Sequence, residues 1–176
     1  MPFLKVAAML AAVAIGTAIG WFARDELAPH PHPRIALIDN AFTAHVVYTP
    51  EVRHPVEVNA EEEEHLVGWL SKRLKAELRA PELSTLGYQL LGGRLLAADG
   101  EPAAQFMYQN AQGNRLTLFV RQKEETQADT AFQYARQGDS QGFYWIDGKL
   151  GYALIGDVER PIISKAAHIV YEELNR

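Results

Sequence analysis

The longest apolar stretch of the chain covers residues 6–22 and contains no charged side chain. A helix of this length rises about 25 Å, near the lower limit for a bilayer core of roughly 30 Å. Lys5 precedes the run, where its long stem lets the ammonium group reach the interface, and Trp21 is typical of the opposite interface. The pattern predicts a transmembrane helix over residues 6–22, after a short cytoplasmic tail of residues 1–5.

The charges that flank this run favour one orientation. Lys5 is the only charge before the run, whereas Arg24, Asp25 and Glu26 after it nearly cancel. Because cytoplasmic ends carry the excess of basic residues, this pattern predicts a cytoplasmic N-terminus. We therefore expect a single-pass protein of the inner membrane that contacts lipid through one helix and has its C-terminal domain in the periplasm.

Two further interpretations of the same run stay open. The small residues Ala18 and Gly20 also fit a secretory signal peptide, whose cleavage would release the domain into the periplasm. The bulky Trp21 that follows them favours an uncleaved helix instead. Ala12, Gly16 and Gly20 form a ridge of small residues at a spacing that lets two membrane helices approach closely. This ridge predicts helix pairing and a possible homodimer.

A linker and a first amphipathic helix are predicted to follow. Residues 23–34 include the segment APHPHPR, in which the prolines favour an extended chain. Its two histidines make a poor metal site, since an extended linker does not hold ligands in place. The folded domain is expected over residues 35–176. It begins with apolar residues three or four positions apart on one helical stripe, at Ile35, Ile38, Phe42 and Val46.

A second helix is predicted between Asn59 and Pro81. Its apolar stripe consists of leucines four residues apart, at Leu66, Leu70, Leu74 and Leu78. Asn59 is a preferred N-cap residue, and the acidic run 61–64 lies where the helix dipole favours negative charge. We interpret this run as a helix start, because a calcium loop needs turn-forming residues between its ligands.

From residue 86 onward, alternating and aromatic-rich segments are separated by turn pairs such as Asp99-Gly100 and Asp147-Gly148. The predicted strands are residues 88–97, 103–109, 115–121, 130–136, 143–147 and 150–155. Within the first strand, Gly92-Gly93 is interpreted as a bulge, and Pro161 opens a last helix. The predicted fold class is α+β, with about three helices packed on one face of an antiparallel sheet of about six strands.

Composition narrows the classes of function. The net charge of -5 is spread along the chain, which argues against a nucleic-acid partner. Cysteine is absent, so disulfides, thiolate metal sites and a cysteine nucleophile are excluded. This absence is compatible with an oxidising compartment, where free thiols would pair. The length after the linker fits one domain with a core of its own.

The sequence contains no motif that indicates an enzyme. It has no nucleophile motif with an adjacent base, no G-x-G-x-x-G segment and no H-E-x-x-H pair. We expect a non-enzymatic domain without metal or cofactor. Three residues are candidates for ligand binding: His45 and His54, which can approach each other after the first helix, and Trp145 in an aromatic segment. Each of the three also fits an ordinary structural role.

Several segments carry a resemblance that runs from about residue 45 to residue 157. They read AHVVYTPEVRHPVEV, HLVGWLSKRL, GYQLLGGRLLAADGEPAAQFMYQN, RLTLFVR and GFYWIDGKLGYALIGD. In order and spacing, they resemble the extracytoplasmic region of a family of bacterial transmembrane anti-sigma factors. The resemblance implies an outward-facing α+β domain that helps to control an extracytoplasmic-function sigma factor across the membrane.

The sequence departs from that family ahead of the predicted membrane helix. Members usually carry a cytoplasmic zinc-binding domain with an H-x-x-x-C-x-x-C motif, and here residues 1–5 precede the helix. We expect the inhibitory domain to lie upstream, to be a separate protein, or to have been lost. The favoured hypothesis is a membrane-anchored sensory or regulatory domain whose partner is a regulatory membrane protein or a sigma-factor system. The alternative is a released periplasmic module that binds a small ligand or a metal.

Overall fold

The computed structural model describes Thr17, residues 33–123 and residues 127–175. The chain divides into an N-terminal unit, Met1–His32, and a domain, Pro33–Arg176. The predicted tail, the predicted membrane helix apart from Thr17, and most of the predicted linker lie outside the described residues. Among the helices of the described ranges, none combines the length and the apolar character that a membrane crossing requires.

The described part of the domain contains three α-helices. They are α1 (Pro33–Tyr48), α2 (Glu63–Leu74) and α3 (Arg160–Leu174). Short 3-10 helices lie at Ala60–Glu62 and Ser84–Leu86. α1 begins within the predicted linker, since proline is well accommodated in the first turn of a helix.

α2 is shorter than predicted at both ends. It ends at Leu74 because Lys75 adopts a left-handed conformation with φ of 50°, so the predicted extension to Pro81 is wrong. Asn59 occupies the N-cap position of the 3-10 helix before α2, with the extended backbone usual for a cap, but its side chain makes no capping hydrogen bond there. The acidic residues nevertheless lie in the first turns of the 3-10 helix and α2, as the helix dipole favours.

In the described part of the domain, seven strands form one antiparallel sheet, which confirms the predicted class and adds one short strand. They are β1 (Val58–Asn59), β2 (Tyr88–Ala98), β3 (Glu101–Asn110), β4 (Arg115–Gln122), β5 (Gln133–Gln137), β6 (Ser140–Asp147) and β7 (Leu150–Gly156). The strand order is β1-β2-β3-β4-β7-β6-β5. β4 and β7 are therefore neighbours in the middle of the sheet, although β5 and β6 separate them in the chain.

A bulge lies immediately before the Gly92-Gly93 pair, where Leu91 is the extra residue of β2. The β2–β3 register shifts between Leu90 and Gly92. Gly92 has a φ of 138°, and a Cβ atom there would lie 2.0 Å from the carbonyl oxygen of Val58. Glycine is required here because β1 crosses close to the β2 backbone.

The helices cover both faces of the sheet, so the prediction that they cover one face is wrong. α2 and α3 contribute to one core, with side chains such as Leu70 and Val170 against Phe106 and Leu118. α1 contributes to a second core on the other face, where Phe42 belongs to a cluster with Phe119 and Ile155. The physical reason lies in β3 and β4, where residues 103–108 and 116–121 are buried without alternation. A strand that is apolar on both faces needs cover on both.

Candidate functional site around His45 and the neighbouring cleft

His45 occupies a core position of α1. It follows Ile38, Ala41 and Phe42 on the helical stripe that faces the sheet, and it is 1% exposed. An imidazole in such a position must have polar partners, since an unpaired buried polar group is costly. The partners come from β4 and from the loop that follows β7.

Both ring nitrogens of His45 face polar groups. Nδ1 lies 2.8 Å from Oγ1 of Thr117 and 3.2 Å from Oγ1 of Thr49. Nε2 lies 3.4 Å from Oδ1 of Asp157 and makes no hydrogen bond within the described part of the chain. The carboxylate favours the tautomer that carries its proton on Nε2, with Nδ1 then accepting from a hydroxyl group.

Two opposing effects act on the protonation of His45. Burial lowers the pKa of His45 below its usual value of 6.5, and the nearby Asp157 carboxylate partly opposes this effect. Burial is the larger effect, so the ring is neutral at pH 7. A charged imidazole would be buried beside Thr117, with the half-exposed Asp157 as its counter-ion.

Asp157 also lines an open cleft of about 790 Å³. The cleft lies beside the first turn of α3 and the turn between β5 and β6. Its wall combines apolar side chains such as Leu86 with amide groups, three carboxylates and one ammonium group. The charged residues are Asp139, Asp157, Glu159 and Lys165, which give the wall an excess of negative charge. Asp157 therefore connects the cleft to the buried imidazole of α1.

Arg115 holds the C-terminal end of α1. Its Nη1 atom donates to the carbonyl oxygens of Thr49 and Glu51, each at 2.7 Å, and to that of Tyr48 at 3.5 Å. Its Nε atom donates to Oε1 of Gln109 at 2.9 Å. A guanidinium group at this end satisfies carbonyl groups that the helix leaves unpaired and complements the helix dipole.

Asp99 binds α1 at a position nearer the N-terminal end of the helix. Its Oδ2 atom accepts hydrogen bonds from Asn40 of α1 at 2.7 Å and from Arg121 of β4 at 2.6 Å. Asp99 lies in the turn between β2 and β3 with a φ of 53°, a conformation that aspartate tolerates better than most residues.

A further buried polar pair lies on the α1 side of the sheet. Arg94 of β2 and Gln105 of β3 are opposite each other in the register. Arg94 donates to the carbonyl oxygen of His54 at 2.7 Å and lies 3.7 Å from the ring centroid of Tyr48. Its Nε atom and the amide group of Gln105 have no hydrogen-bond partner in the described part of the chain.

The structure does not bring the three predicted ligand-binding residues into one site. His45 is buried on the α1 face, whereas the exposed side chain of His54 lies in the connection after α1. Trp145 belongs to the core on the opposite face. Among the described residues, no hydrogen bond or ion pair joins any two of these side chains. The predicted pairing residues Ala12, Gly16 and Gly20 lie outside the described residues.

Trp145 has the surroundings of a core residue. It is 1% exposed, stacks on Tyr152 at a centroid distance of 5.3 Å and meets Phe132 edge to face at 4.9 Å. Burial, with a smaller contribution from Asp147, raises the pKa of Tyr152 to about 12. Trp145 also borders a smaller hollow of about 430 Å³ beside the end of α2.

Sequence reasoning identified His45 but missed its partners. Thr117 lies 72 residues away, and Asp157 belongs to a different turn. The one available signal was the pair of arginines at the ends of β4, Arg115 and Arg121, which enclose the apolar segment LTLFV. In the structure, Arg115 binds the C-terminal end of α1, and Arg121 binds Asp99, which also binds Asn40. The sequence matches no known family model and no curated protein.

Proposed function

We propose that this chain is a membrane-anchored sensory or regulatory domain of the anti-sigma-factor type, which takes part in the control of an extracytoplasmic-function sigma factor. Its anchor is the apolar segment of residues 6–22, and its folded domain lies on the periplasmic side. The observation that carries the proposal is the set of polar contacts by which the sheet holds α1, the first element of the domain after the apolar segment.

These contacts connect α1 to the β2–β3 turn, to the loop after β7 and to the first residue of β4. Asn40 is bound to Asp99, His45 lies beside Asp157, and the end of the helix is bound to Arg115. A change at the cleft that moves or neutralises Asp157 alters the surroundings of His45. Such a change is transmitted to the segment that leads to the anchor, provided that it favours one position of α1 over another.

The resemblance to anti-sigma factors supports the same interpretation. The segments that carry it include four residues that fix the C-terminal half of α1 or its connection: His45, Arg94, Arg115 and Asp157. The resembling stretches therefore cover a contact network as well as apolar core positions.

Affinity capture from native membranes tests the proposal. The full chain, tagged at its C-terminus and cross-linked in its own cells, should retain a sigma factor, a protein with an inhibitory zinc domain or a membrane protease. Deleting the gene should change transcription from promoters that depend on that sigma factor. The proposal is wrong if none of these proteins is recovered and transcription is unchanged.

A matched variant separates anchoring from folding. Replacing residues 1–32 by a cleavable secretion signal releases the domain Pro33–Arg176, and the regulatory effect should then be lost. Reporter fusions on both sides of residues 6–22 should place the C-terminal side outside the cytoplasm. An effect that survives release would remove the requirement for an anchor.

The cleft beside Asp157 favours a second candidate function, a periplasmic module that binds a small cationic ligand. Its wall carries three carboxylates against one ammonium group. Among the described residues, no group of three His, Asp or Glu side chains is placed to hold a metal ion, so an organic cation fits better. Spermidine and L-arginine are suitable probes. Saturable binding that Asp157→Asn weakens would support this candidate, and the absence of binding at millimolar concentration would exclude these amines.

A further inference from the structure

β5 is one edge of the sheet, and alternate residues of this strand turn their backbone groups away from β6. Gln137 lies opposite Ser140 across a two-residue turn. In such a hairpin, these two residues exchange hydrogen bonds. Bonded positions recur at every second residue, so Ala135 also bonds to β6. The N–H and C=O groups of Tyr134 and Arg136 consequently point outward.

These outward groups are open to another strand. Within the described residues, no backbone hydrogen bond beyond the β5–β6 ladder reaches Tyr134 or Arg136, and both side chains are exposed. The opposite edge is different, because β1 covers the middle of β2 and the carboxylate of Glu57 accepts the N–H of Leu95. A free edge with unpaired backbone groups is a template for strand addition.

Contacts within the same chain hold the side chains of Tyr134 and Arg136 on β5. The hydroxyl group of Tyr134 donates to Oε1 of Gln141 at 2.6 Å. The guanidinium carbon of Arg160 lies 4.2 Å from the centroid of the Tyr134 ring. The Nε atom of Arg136 donates to the carbonyl oxygen of Gly138 at 3.1 Å. A strand already held in this way loses little conformational entropy on binding.

We propose that β5 pairs with β5 of a second copy of this chain, antiparallel about a twofold axis beside Ala135. The strand reads QYARQ. In this register, Gln133 faces Gln137 of the second copy, and Tyr134 faces Arg136 of the second copy. Tyr134 and Arg136 then exchange two hydrogen bonds, and the symmetry repeats them, so all the outward groups of β5 are paired.

This register overlaps the whole strand and does not place the two Arg136 side chains opposite each other. An axis beside Arg136 would place two guanidinium groups opposite each other, which is destabilising. An axis beside Tyr134 would place Arg136 opposite residue 132, outside β5. The twofold pairing uses the same edge of both copies, so it closes as a dimer and does not propagate.

The pairing is weak between free molecules. A strand of five residues buries less than the roughly 1,200 Å² of a stable interface. Two copies anchored in one membrane meet at a much higher effective concentration. The expectation of a dimer in membranes therefore rests on the anchor of the proposed function, whereas the register rests on β5 alone.

The absence of cysteine makes the register directly testable. Residues bonded to β6 form non-hydrogen-bonded pairs across the axis, with Cα atoms about 4.5 Å apart, which suits a disulfide. The full chain with Ala135→Cys, in phosphatidylcholine vesicles treated with copper phenanthroline, should form a disulfide-linked dimer. Gln133→Cys alone should not form this dimer, because residue 133 of the second copy lies about 13 Å further along the strand. A mixture of Gln133→Cys and Gln137→Cys should cross-link.

A matched pair of variants separates the backbone bond from the side chain. In the Ala135→Cys chain, Arg136→Pro removes an outward N–H without removing a β5–β6 bond. It should lower the dimer yield at least about tenfold, the factor that corresponds to 1.4 kcal/mol. Arg136→Ala keeps the N–H and should keep the dimer. Thermal unfolding of each variant checks that the domain is still folded. The mixture of Gln133→Cys and Gln137→Cys tests the register in chains that carry no added proline.

The proposal is overturned if Gln133→Cys cross-links as readily as Ala135→Cys, or if chains that float with the vesicles form no Ala135→Cys dimer. Equal dimer yields from Arg136→Pro and Arg136→Ala would also overturn it. A chain that does not float contradicts the proposed anchor. In that case, cross-linking of the same cysteine variants in concentrated solution tests the pairing of β5 independently of the anchor.

Discussion

The Nε2 atom of His45 lies 3.4 Å from Oδ1 of Asp157, so a buried imidazole of α1 meets a half-exposed carboxylate that lines the cleft. The two residues belong to opposite ends of the domain sequence. Their contact joins the first helix to the loop between β7 and α3. It gives the domain a titratable group at the place where the helix, the sheet and the cleft meet.

The free energy of unfolding should depend on pH through His45. Because burial depresses the pKa of His45 in the folded state, the unfolded chain binds a proton at a higher pH than the folded domain. Stability should therefore fall as the pH drops below 6.5, until the folded-state pKa is passed. The slope should reach at most about 1.4 kcal/mol per pH unit. Urea unfolding between pH 5 and pH 8 measures it.

His45→Gln should flatten this slope while lowering stability at neutral pH, since glutamine does not titrate and fits the site less well. His65→Gln is the matched control, because His65 is exposed on α2. It should leave the slope unchanged. An unaltered slope in His45→Gln would mean that another group titrates in this range.

Asp157→Asn should lower the pKa of His45 further. The Asp157 carboxylate is the group that opposes the effect of burial, chiefly through its charge at 3.4 Å from Nε2. NMR titration of the imidazole ring measures the change. Asp139→Asn removes another carboxylate from the same cleft and should leave the His45 titration nearly unchanged.

Arg115→Met should lower the free energy of unfolding by about 1.5–3 kcal/mol, the range for hydrogen bonds to charged groups. The guanidinium group donates to the carbonyl oxygens of Thr49 and Glu51, each at 2.7 Å, and methionine leaves them unpaired. Chemical unfolding measures the loss. Arg79→Met, which removes an exposed ion pair with Glu77, should change stability by well under 1 kcal/mol. Similar losses in the two variants would contradict the role of Arg115.

Two glycine-to-alanine substitutions should have opposite effects. Gly92→Ala should destabilise the domain by at least about 1–3 kcal/mol, because its φ of 138° and the carbonyl oxygen of Val58 leave no room for a Cβ atom. Gly68→Ala should stabilise it by about 0.5–1 kcal/mol, since Gly68 lies in α2 with nothing within 4 Å of the new methyl group. Thermal unfolding of the two variants decides the comparison.

Pairing of the N-terminal segment stays a prediction that concerns residues outside the described structure. Replacing Gly16 and Gly20 by leucine should weaken self-association in a membrane two-hybrid assay, because the bulkier side chains keep two helices apart. Substitutions in β5 should act independently of this change. Unchanged association in the double leucine variant would remove the small-residue ridge as a pairing surface.

The sequence was sufficient to predict the antiparallel sheet, because its signals are local. Asp147-Gly148 and the Gly92-Gly93 pair each mark a turn or a bulge by their own chemistry. The distribution of the helices was mispredicted, because the deciding signal was non-local. Residues 103–108 show that β3 is buried on both faces, yet they do not show which helix covers which face.

The candidate site was predictable to a smaller extent. His45 was identified from its position on α1, but Thr117 and Asp157 reach it only through the strand order, which places β4 beside β7. Trp145 was a candidate because aromatic residues serve both cores and binding grooves. Its contacts with Tyr152 and Phe132 are those of a core residue, and a role in ligand binding stays a prediction.

The position of α1 at the start of the domain also has a mechanical consequence. Tension applied at Pro33 would peel the helix from the sheet from one end, and its contacts would break in series. Among the polar contacts, the bond between Asn40 and Asp99 would be loaded first, the contacts of His45 next, and the hydrogen bonds of Arg115 last. The core to which α2 and α3 contribute lies on the other face of the sheet. Removal of α1 from the sheet would expose Phe119 and Ile155, which it covers in the second core.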